Sequence, residues 1–342
     1  MRFHAFTVLA STLTCWKPRG LPPTGGLMMS EPANHRAGFV SILGVPNVGK
    51  STLLNAMLGE RLSIATSKAQ TTRHRVMGIL NGDDYQIVCS DTPGVLRGPQ
   101  YKLQEGMMGA VRSAVIDADA ILLVVDVFQE EALPDEKLLR QLSTSPTPVL
   151  VLLNKIDLLD DAVTPRAAER RAEYGSPEQL QQQWRERFPA ATVLPVCAKR
   201  GEGVDDVLRH LRSLMPEHPP FYDKSDDAMS VLPERFFASE MLREAIFEHY
   251  QQEVPYSCEC RIEAFKESEE IIRIRADIFV EHDSQKGIVI GAKGSALKRV
   301  GIKARRRMEG FFHKKIHLET RVKVKPNWRQ DKFALQEFGY MQ

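Results

Sequence analysis

From residue 37 the chain alternates short apolar runs with stretches in which apolar residues recur every three to four positions, as strands joined by crossover helices do. The runs at 37–43, 76–80, 85–90, 120–127, 149–153 and 192–197 predict the strands of one mostly parallel six-stranded sheet. Between them, 50–58, 103–116, 133–142, 177–187 and 204–214 carry helical spacing, which makes 37–215 an α/β domain. Residues 216–232 break the pattern with Pro216, Pro219 and Pro220 and an acidic cluster at 223–227, and read as a linker. Beyond the linker the order changes. A long amphipathic helix over 233–250 precedes alternating strands at 257–265 and 271–280, two helices around 291–294 and a last strand at 315–325. That α-β-β-α-α-β order predicts an α+β domain with a three-stranded sheet over 233–332, followed by a tail at 333–342. Residues 1–36 have no clear period and read as a disordered tail.

Length and composition agree with this division. At 342 residues, 43% hydrophobic and 26% charged, the chain is too long for one core and too apolar for global disorder. No uncharged apolar run reaches the roughly 18 residues needed to span a bilayer. Five cysteines are an odd and sparse set, which favours a reducing compartment; Cys258 and Cys260 fall on one face of a strand and read as packing. The tail is either an upstream start, since Met28-Met29-Ser30 lies just before the first predicted strand, or an organelle transit peptide; the stretch 5–16 is too short and too rich in Ser and Thr for a secretory signal. Net charge is +2, yet residues 286–332 hold 15 Lys and Arg against 3 acidic residues, so the rest of the chain is net acidic. One segment is built for an anion.

Gly44-Val45-Pro46-Asn47-Val48-Gly49-Lys50-Ser51 fits G-x-x-x-x-G-K-[ST] between a predicted strand and a predicted helix that continues with Thr52. Glycines there let backbone N–H groups wrap phosphates, the helix N-terminus adds partial positive charge, and Lys50 reaches the β and γ phosphates. Ser51 offers a hydroxyl to Mg²⁺. Asp91-Thr92-Pro93-Gly94 ends the third predicted strand, where a carboxylate can serve Mg²⁺ and Gly94 can offer its N–H to a γ-phosphate. Asn154-Lys155-Ile156-Asp157 ends the fifth, and an Asp at that place accepts from both N1–H and the 2-amino group of guanine, which adenine cannot supply.

Together these motifs resemble those of the translation-factor-like class of small GTPases. The resemblance implies that residues 66–73 form the first switch loop, with Thr72 rather than Thr71 closing on Mg²⁺, so that Ser51, Thr72 and Asp91 serve the metal and Lys50, Thr72 and Gly94 are catalytic. Val196-Cys197-Ala198-Lys199 resembles the Ser-Ala-Lys loop that backs the base through the Ala198 main chain; Cys197 stands where serine is usual and puts the loop's support in doubt. Ras-like GTPases place a water-orienting glutamine where this chain has Val95, so intrinsic hydrolysis is expected to be slow. Members with that substitution and an asparagine at the position of Asn47 resemble a set in which K⁺ supplies the missing charge.

In the second domain, Gly291-Ala292-Lys293-Gly294 between an apolar and a basic helix matches the G-x-x-G loop of KH domains, which clamps a single-stranded RNA backbone. Lys293, Lys298 and Arg299 would meet phosphates, Lys303, Arg305, Arg306 and Arg307 would extend the rim or face solvent, and Ile288, Val289 and Ile290 would form the apolar floor under the bases. A P-loop GTPase domain followed by a type II KH domain resembles the Era family, with Ala69-Gln70-Thr71-Thr72-Arg73-His74-Arg75, Pro233-Glu234-Arg235-Phe236, Glu253-Val254-Pro255-Tyr256-Ser257 and Val322-Lys323-Val324-Lys325-Pro326-Asn327-Trp328-Arg329 all similar to it. That resemblance implies a cytoplasmic monomer acting in 30S subunit biogenesis, with the KH groove on the 3′ end of 16S rRNA and peripheral association with the inner membrane. Two other readings stand beside it: an RNA-binding assembly factor with GTP as a structural ligand, and a membrane-associated signalling GTPase.

Overall fold

The six apolar runs of the first region pair into one sheet in the computed structural model, which describes residues 35–96, 98–126, 128, 136–224 and 229–341. The strands are β1 (Arg36–Leu43), β2 (Val76–Asn81), β3 (Tyr85–Asp91), β4 (Ala120–Asp126), β5 (Val149–Asn154) and β6 (Thr192–Pro195), in the order β2-β3-β1-β4-β5-β6. Only β2 is antiparallel to its neighbour. β4 and β5 are buried along their whole length, because helices cover both faces of the sheet. Those helices are α1 (Lys50–Leu58), α2 (Lys102–Asp117), α3 (Glu136–Ser143), α4 (Ala167–Tyr174), α5 (Pro177–Arg187) and α6 (Val204–Leu214). Ser176 and Gln179 form a capping box at the start of α5, with Pro177 in its first turn. α4 escapes sequence reading: AAERRAEY has no apolar stripe and buries only Ala167.

The second domain contains α7 (Glu234–His249), the short α8 (Val254–Ser257), β7 (Glu259–Glu267), β8 (Ile271–Val280), α9 (Asp283–Ile290), α10 (Ser295–Phe312) and β9 (Lys315–Val324). Its sheet has the order β7-β8-β9, antiparallel between β7 and β8 and parallel between β8 and β9. The inner faces of this sheet, α7 and α10 share one core with Cys258 and Cys260, which are buried packing residues there.

Three expectations change. Regular structure is already present before residue 37, with Arg36 in β1 and His35 Nδ1 2.8 Å from His218 O; the predicted tail otherwise lies outside the described residues, as does the start of the helix predicted at 133. The described part of the linker is not free chain, since Phe221 and Tyr222 N–H donate to Gln86 Oε1 and Ile79 N–H donates to Met229 O. Residues 333–342 are not a tail either: α11 (Lys332–Glu337) and Tyr340 pack with Leu103 and Met107 of α2. Trp328, fully buried just before α11, donates to Ser257 O and fills the space between the two domains.

Candidate functional site

The loop between β1 and α1 wraps into a concave phosphate-sized nest because Gly49 takes φ 104° and Asn47 φ 67°. A Cβ at Gly49 would sit 2.3 Å from Asn154 Nδ2, so the position demands glycine on both counts. Val45 and Val48 turn their side chains into the core and leave only backbone to the site. Lys50 is buried, with its ammonium 2.8 Å from Val45 O. Burial lowers it to about 8, the nearby Asp91 only partly opposing this. Asp91 is itself fully buried and its carboxyl is pushed up by desolvation, against the pull of Lys50 and three hydroxyls.

Those hydroxyls converge. Ser51 Oγ donates to Asp91 Oδ2 at 2.6 Å and lies 2.9 Å from Thr72 Oγ1; Ser63 Oγ donates to the same Oδ2 at 2.7 Å. The other carboxylate oxygen, Asp91 Oδ1, is buried with no hydrogen-bond partner among the described residues. Thr71 points elsewhere, bonding Thr66 Oγ1 and Lys68 O inside its own loop. Thr92 is spent on Ile42 O in the core, and Val95 packs with Leu43 and Leu103, its N–H donating to Gly44 O. Thr92 and Val95 thus shape the strand end without presenting side chains to the site.

A cavity of about 290 Å³ runs from this cluster to the ends of β5 and β6, lined by Pro46, Asn47 and Thr52 at one end and by Lys155, Asp157, Cys197, Ala198 and Lys199 at the other, with Gly94 alongside. Asn154 braces the two ends: its Nδ2 donates to Val48 O at 2.7 Å and its Oδ1 accepts from Ala198 N–H at 3.0 Å. Lys155, at φ 67°, pairs with Asp126 at 2.6 Å. Ile156 only opens the turn that carries Asp157. Cys197 N–H bonds Glu202 O at 2.9 Å, and its thiol is pushed up by burial and then by the neighbouring Asp157. Thr66, Lys68 and Gln70, within the expected switch loop, also line the cavity, and so do Ile64, Ala65 and Leu158, which no motif marks. Residues 64–70 among them fold over the opening from the loop between α1 and β2.

On the second domain, Gly291, Lys293 and Gly294 all take positive φ, so the loop between α9 and α10 is a tight exposed bend. Ala292, Lys293, Lys298 and Arg299 are exposed, and Lys293, Lys298, Arg299 and Arg306 have no ion pair among the described residues. Lys303 and Arg307 are instead tied to Glu248, and Arg305 to Glu309. The apolar floor needs correcting. Val289 is 0% exposed, in the core, with its carbonyl accepting from Tyr250 Oη; Ile290 is half-buried against the same core, and Ile288, 50% exposed, is the apolar side chain left open beside the loop. Successive residues of a helix cannot share one face.

Residues 39–155 match the family described as "50S ribosome-binding GTPase", and residues 253–329 match the family described as "KH domain". The GTPase Era of Geobacter metallireducens is 38% identical over 307 residues, covering 89% of this chain and 98% of its own. The chain belongs to the Era family of GTPases. A chloroplastic ERA-like GTPase of Oryza sativa subsp. japonica is 43% identical over 317 residues, 91% of this chain and 71% of that one. Among solved structures, Era in complex with MgGDPNP and nucleotides 1506–1542 of 16S ribosomal RNA aligns at a TM-score of 0.81 and 31% identity, over 90% of this chain and all of that one. The expected fold, a P-loop GTPase domain followed by a KH domain, is therefore that of the family.

In this Era-family chain the two domains meet at the loop between α1 and β2, the stretch expected to be the first switch loop. Arg73, buried, donates to Cys258 O, Pro255 O and Tyr256 O and pairs with Glu259 at 3.1 Å. Arg243 of α7, fully buried, donates to Thr71 O and pairs with Glu240. Lys68 reaches the carbonyls of Phe247 and Tyr250, and Glu244 accepts from Ala65 N–H.

Proposed function

We propose that this GTPase is a magnesium-dependent switch that holds the 3′ end of 16S rRNA in its KH domain during assembly of the 30S subunit. The site's residues fit the metal: Asp91 Oδ1 is buried without a partner among the described residues, and the hydroxyls of Ser51, Ser63 and Thr72 converge on the other carboxylate oxygen. Ser51, Thr72 and Asp91 would hold Mg²⁺, which when bound neutralises phosphate charge. Lys50, whose ammonium is costly to bury unpaired, gains its partner from the β and γ phosphates. Gly94 offers its backbone N–H at the γ-phosphate end, and Asp157 receives both guanine donors, backed by Cys197 and Ala198. Val95 is packed into the core, so no side chain at that position aims a water, and intrinsic turnover is slow. Asn47, exposed at the cavity rim with no side-chain hydrogen bond among the described residues, is the residue we assign to K⁺.

In the KH domain, Gly291, Ala292 and Gly294 let an RNA backbone come close, Lys293, Lys298 and Arg299 supply charge without an ion pair among the described residues, and exposed Ile288 meets a base. The reading includes a cytoplasmic monomer with peripheral attachment to the inner membrane face. Among the described residues no helix is long and apolar enough to cross a membrane. The observation that carries the proposal is the pairing of a preorganised phosphate and metal nest with an exposed, unpaired basic KH loop in one chain.

RNA binding with GTP, GDP and no nucleotide tests it. A 16S 3′-end oligonucleotide whose affinity depends on nucleotide state supports the switch; equal affinity in all three states leaves GTP as a structural ligand. Sedimentation with anionic liposomes tests the membrane contact.

A further inference from the structure

Arg73 and Arg243 are among the largest fully buried side chains of the molecule. Neither is needed for packing alone, since apolar residues of similar volume fill an interface at least as stably as buried ions do. Their placement is specific instead. Arg243 holds the carbonyl of Thr71, the residue before Thr72, and Arg73, the residue after it, is held by three carbonyls and one carboxylate of the KH domain. Tyr340, near the chain's end, donates to the same Glu259 and closes the group. Thr72 itself makes no bond across the domain boundary among the described residues; its hydroxyl faces Ser51 and Asp91, at 2.9 and 3.5 Å.

We propose that Arg243 and Arg73 are positioning residues for GTP hydrolysis: the KH domain grips the first switch loop on both sides of Thr72 and so sets that hydroxyl against Ser51 and Asp91. The inference rests on Thr72 being the threonine that closes on the metal. It follows that the GTPase domain depends on its neighbour for the GTP-specific part of the site. The phosphate loop and the base pocket, which GDP also uses, do not depend on it.

The test uses the full chain. Arg243→Met combined with Glu240→Gln removes the grip without stranding a buried charge; Arg73→Lys keeps the charge but cannot fill the forked set of acceptors. Hydrogen exchange of amides 65–73 without nucleotide, affinity for GDP and for a non-hydrolysable GTP analogue across a Mg²⁺ titration, and turnover are read in each, with Thr72→Ala as reference. The grip predicts faster exchange at 65–73, a higher Mg²⁺ requirement for the GTP analogue, and turnover down about 10–100-fold, with GDP affinity within about twofold of wild type. It also predicts that adding Thr72→Ala to the paired change costs little more. Unchanged exchange and turnover in both arginine variants, with Thr72→Ala impaired, overturn the inference and leave the Thr72 reading intact. Equal losses of GDP and GTP-analogue affinity overturn it as well, because they reduce the arginines to architecture. Wild-type behaviour of Thr72→Ala overturns both.

Discussion

Replacing Asn154 by alanine separates the brace across the cavity from contacts to the base. The side chain's two buried hydrogen bonds, 2.7 Å to Val48 O and 3.0 Å from Ala198 N–H, tie the phosphate loop to the loop behind the base. Alanine removes both at once and leaves a carbonyl and an amide unpaired, each at about 1–3 kcal/mol. The cavity is open enough for water to replace one partner in the free protein, which puts the expected cost to the nucleotide-bound state at about 2–4 kcal/mol. At about 1.4 kcal/mol per factor of ten, guanine-nucleotide affinity drops roughly 30- to 1000-fold. Stopped-flow release of a fluorescent GDP measures this, with thermal unfolding run beside it. Asp157→Asn is the informative contrast. It puts an NH₂ group against a guanine donor, lowers GTP affinity by a similar amount, and moves selectivity toward xanthosine triphosphate, yet leaves unfolding without nucleotide near wild type. Asn154→Ala should lower both. Wild-type GDP release and wild-type melting in Asn154→Ala would refute the brace.

Three further outcomes are expected. Exchanging Na⁺ for K⁺ at constant ionic strength should raise turnover, and Asn47→Ala should abolish the difference while leaving nucleotide affinity largely intact; equal rates in the two salts with the wild-type chain remove Asn47 from the ion site. Because burial lowers Lys50 to about 8 from 10.5, the free folded chain binds fewer protons than the unfolded chain between those values, and this group's contribution to stability rises with pH there. Phosphates restore the charge, so nucleotide binding at about pH 9 should take up close to one proton and weaken as pH rises; calorimetry in buffers of different ionisation enthalpy that finds no uptake counts against a phosphate at Lys50. Replacing Ala292 and Lys293 by two aspartates should abolish binding of the rRNA 3′ end even at low salt, whereas changing Lys314, already paired with Glu267, and Lys315 to alanine should cost at most about two phosphate contacts in the salt slope. Indistinguishable titrations of a fluorescent oligonucleotide would mean that the loop is not the clamp.

What could be read in the chain was chemistry written over contiguous residues. Gly44 to Ser51 must wrap a phosphate using neighbouring backbone amides, and Asn154 to Asp157 must present a carboxylate at a strand end, so both are legible as strings. The alternation of apolar runs likewise predicted the strands of both sheets, because burial on both faces or on one leaves a local signature. Side-chain partners far along the chain leave none. Asn154 is legible only as the first letter of its motif; that its amide joins loops 106 and 44 residues away is not. The KH floor misassigned Val289 because three consecutive apolar residues do not say which one faces inward. Residues 333–342 looked like a tail because a segment of ten residues is too short to display a period, however apolar; the partners of Leu335 and Tyr340 lie on α2 in the other domain. The same holds for Arg73 and Arg243, two arginines that composition assigns to the surface and that only the docking of one domain on the other supplies with enough acceptors to be buried. A sequence pattern records which groups must leave water; which groups they meet there depends on how distant segments pack, and that is decided in three dimensions.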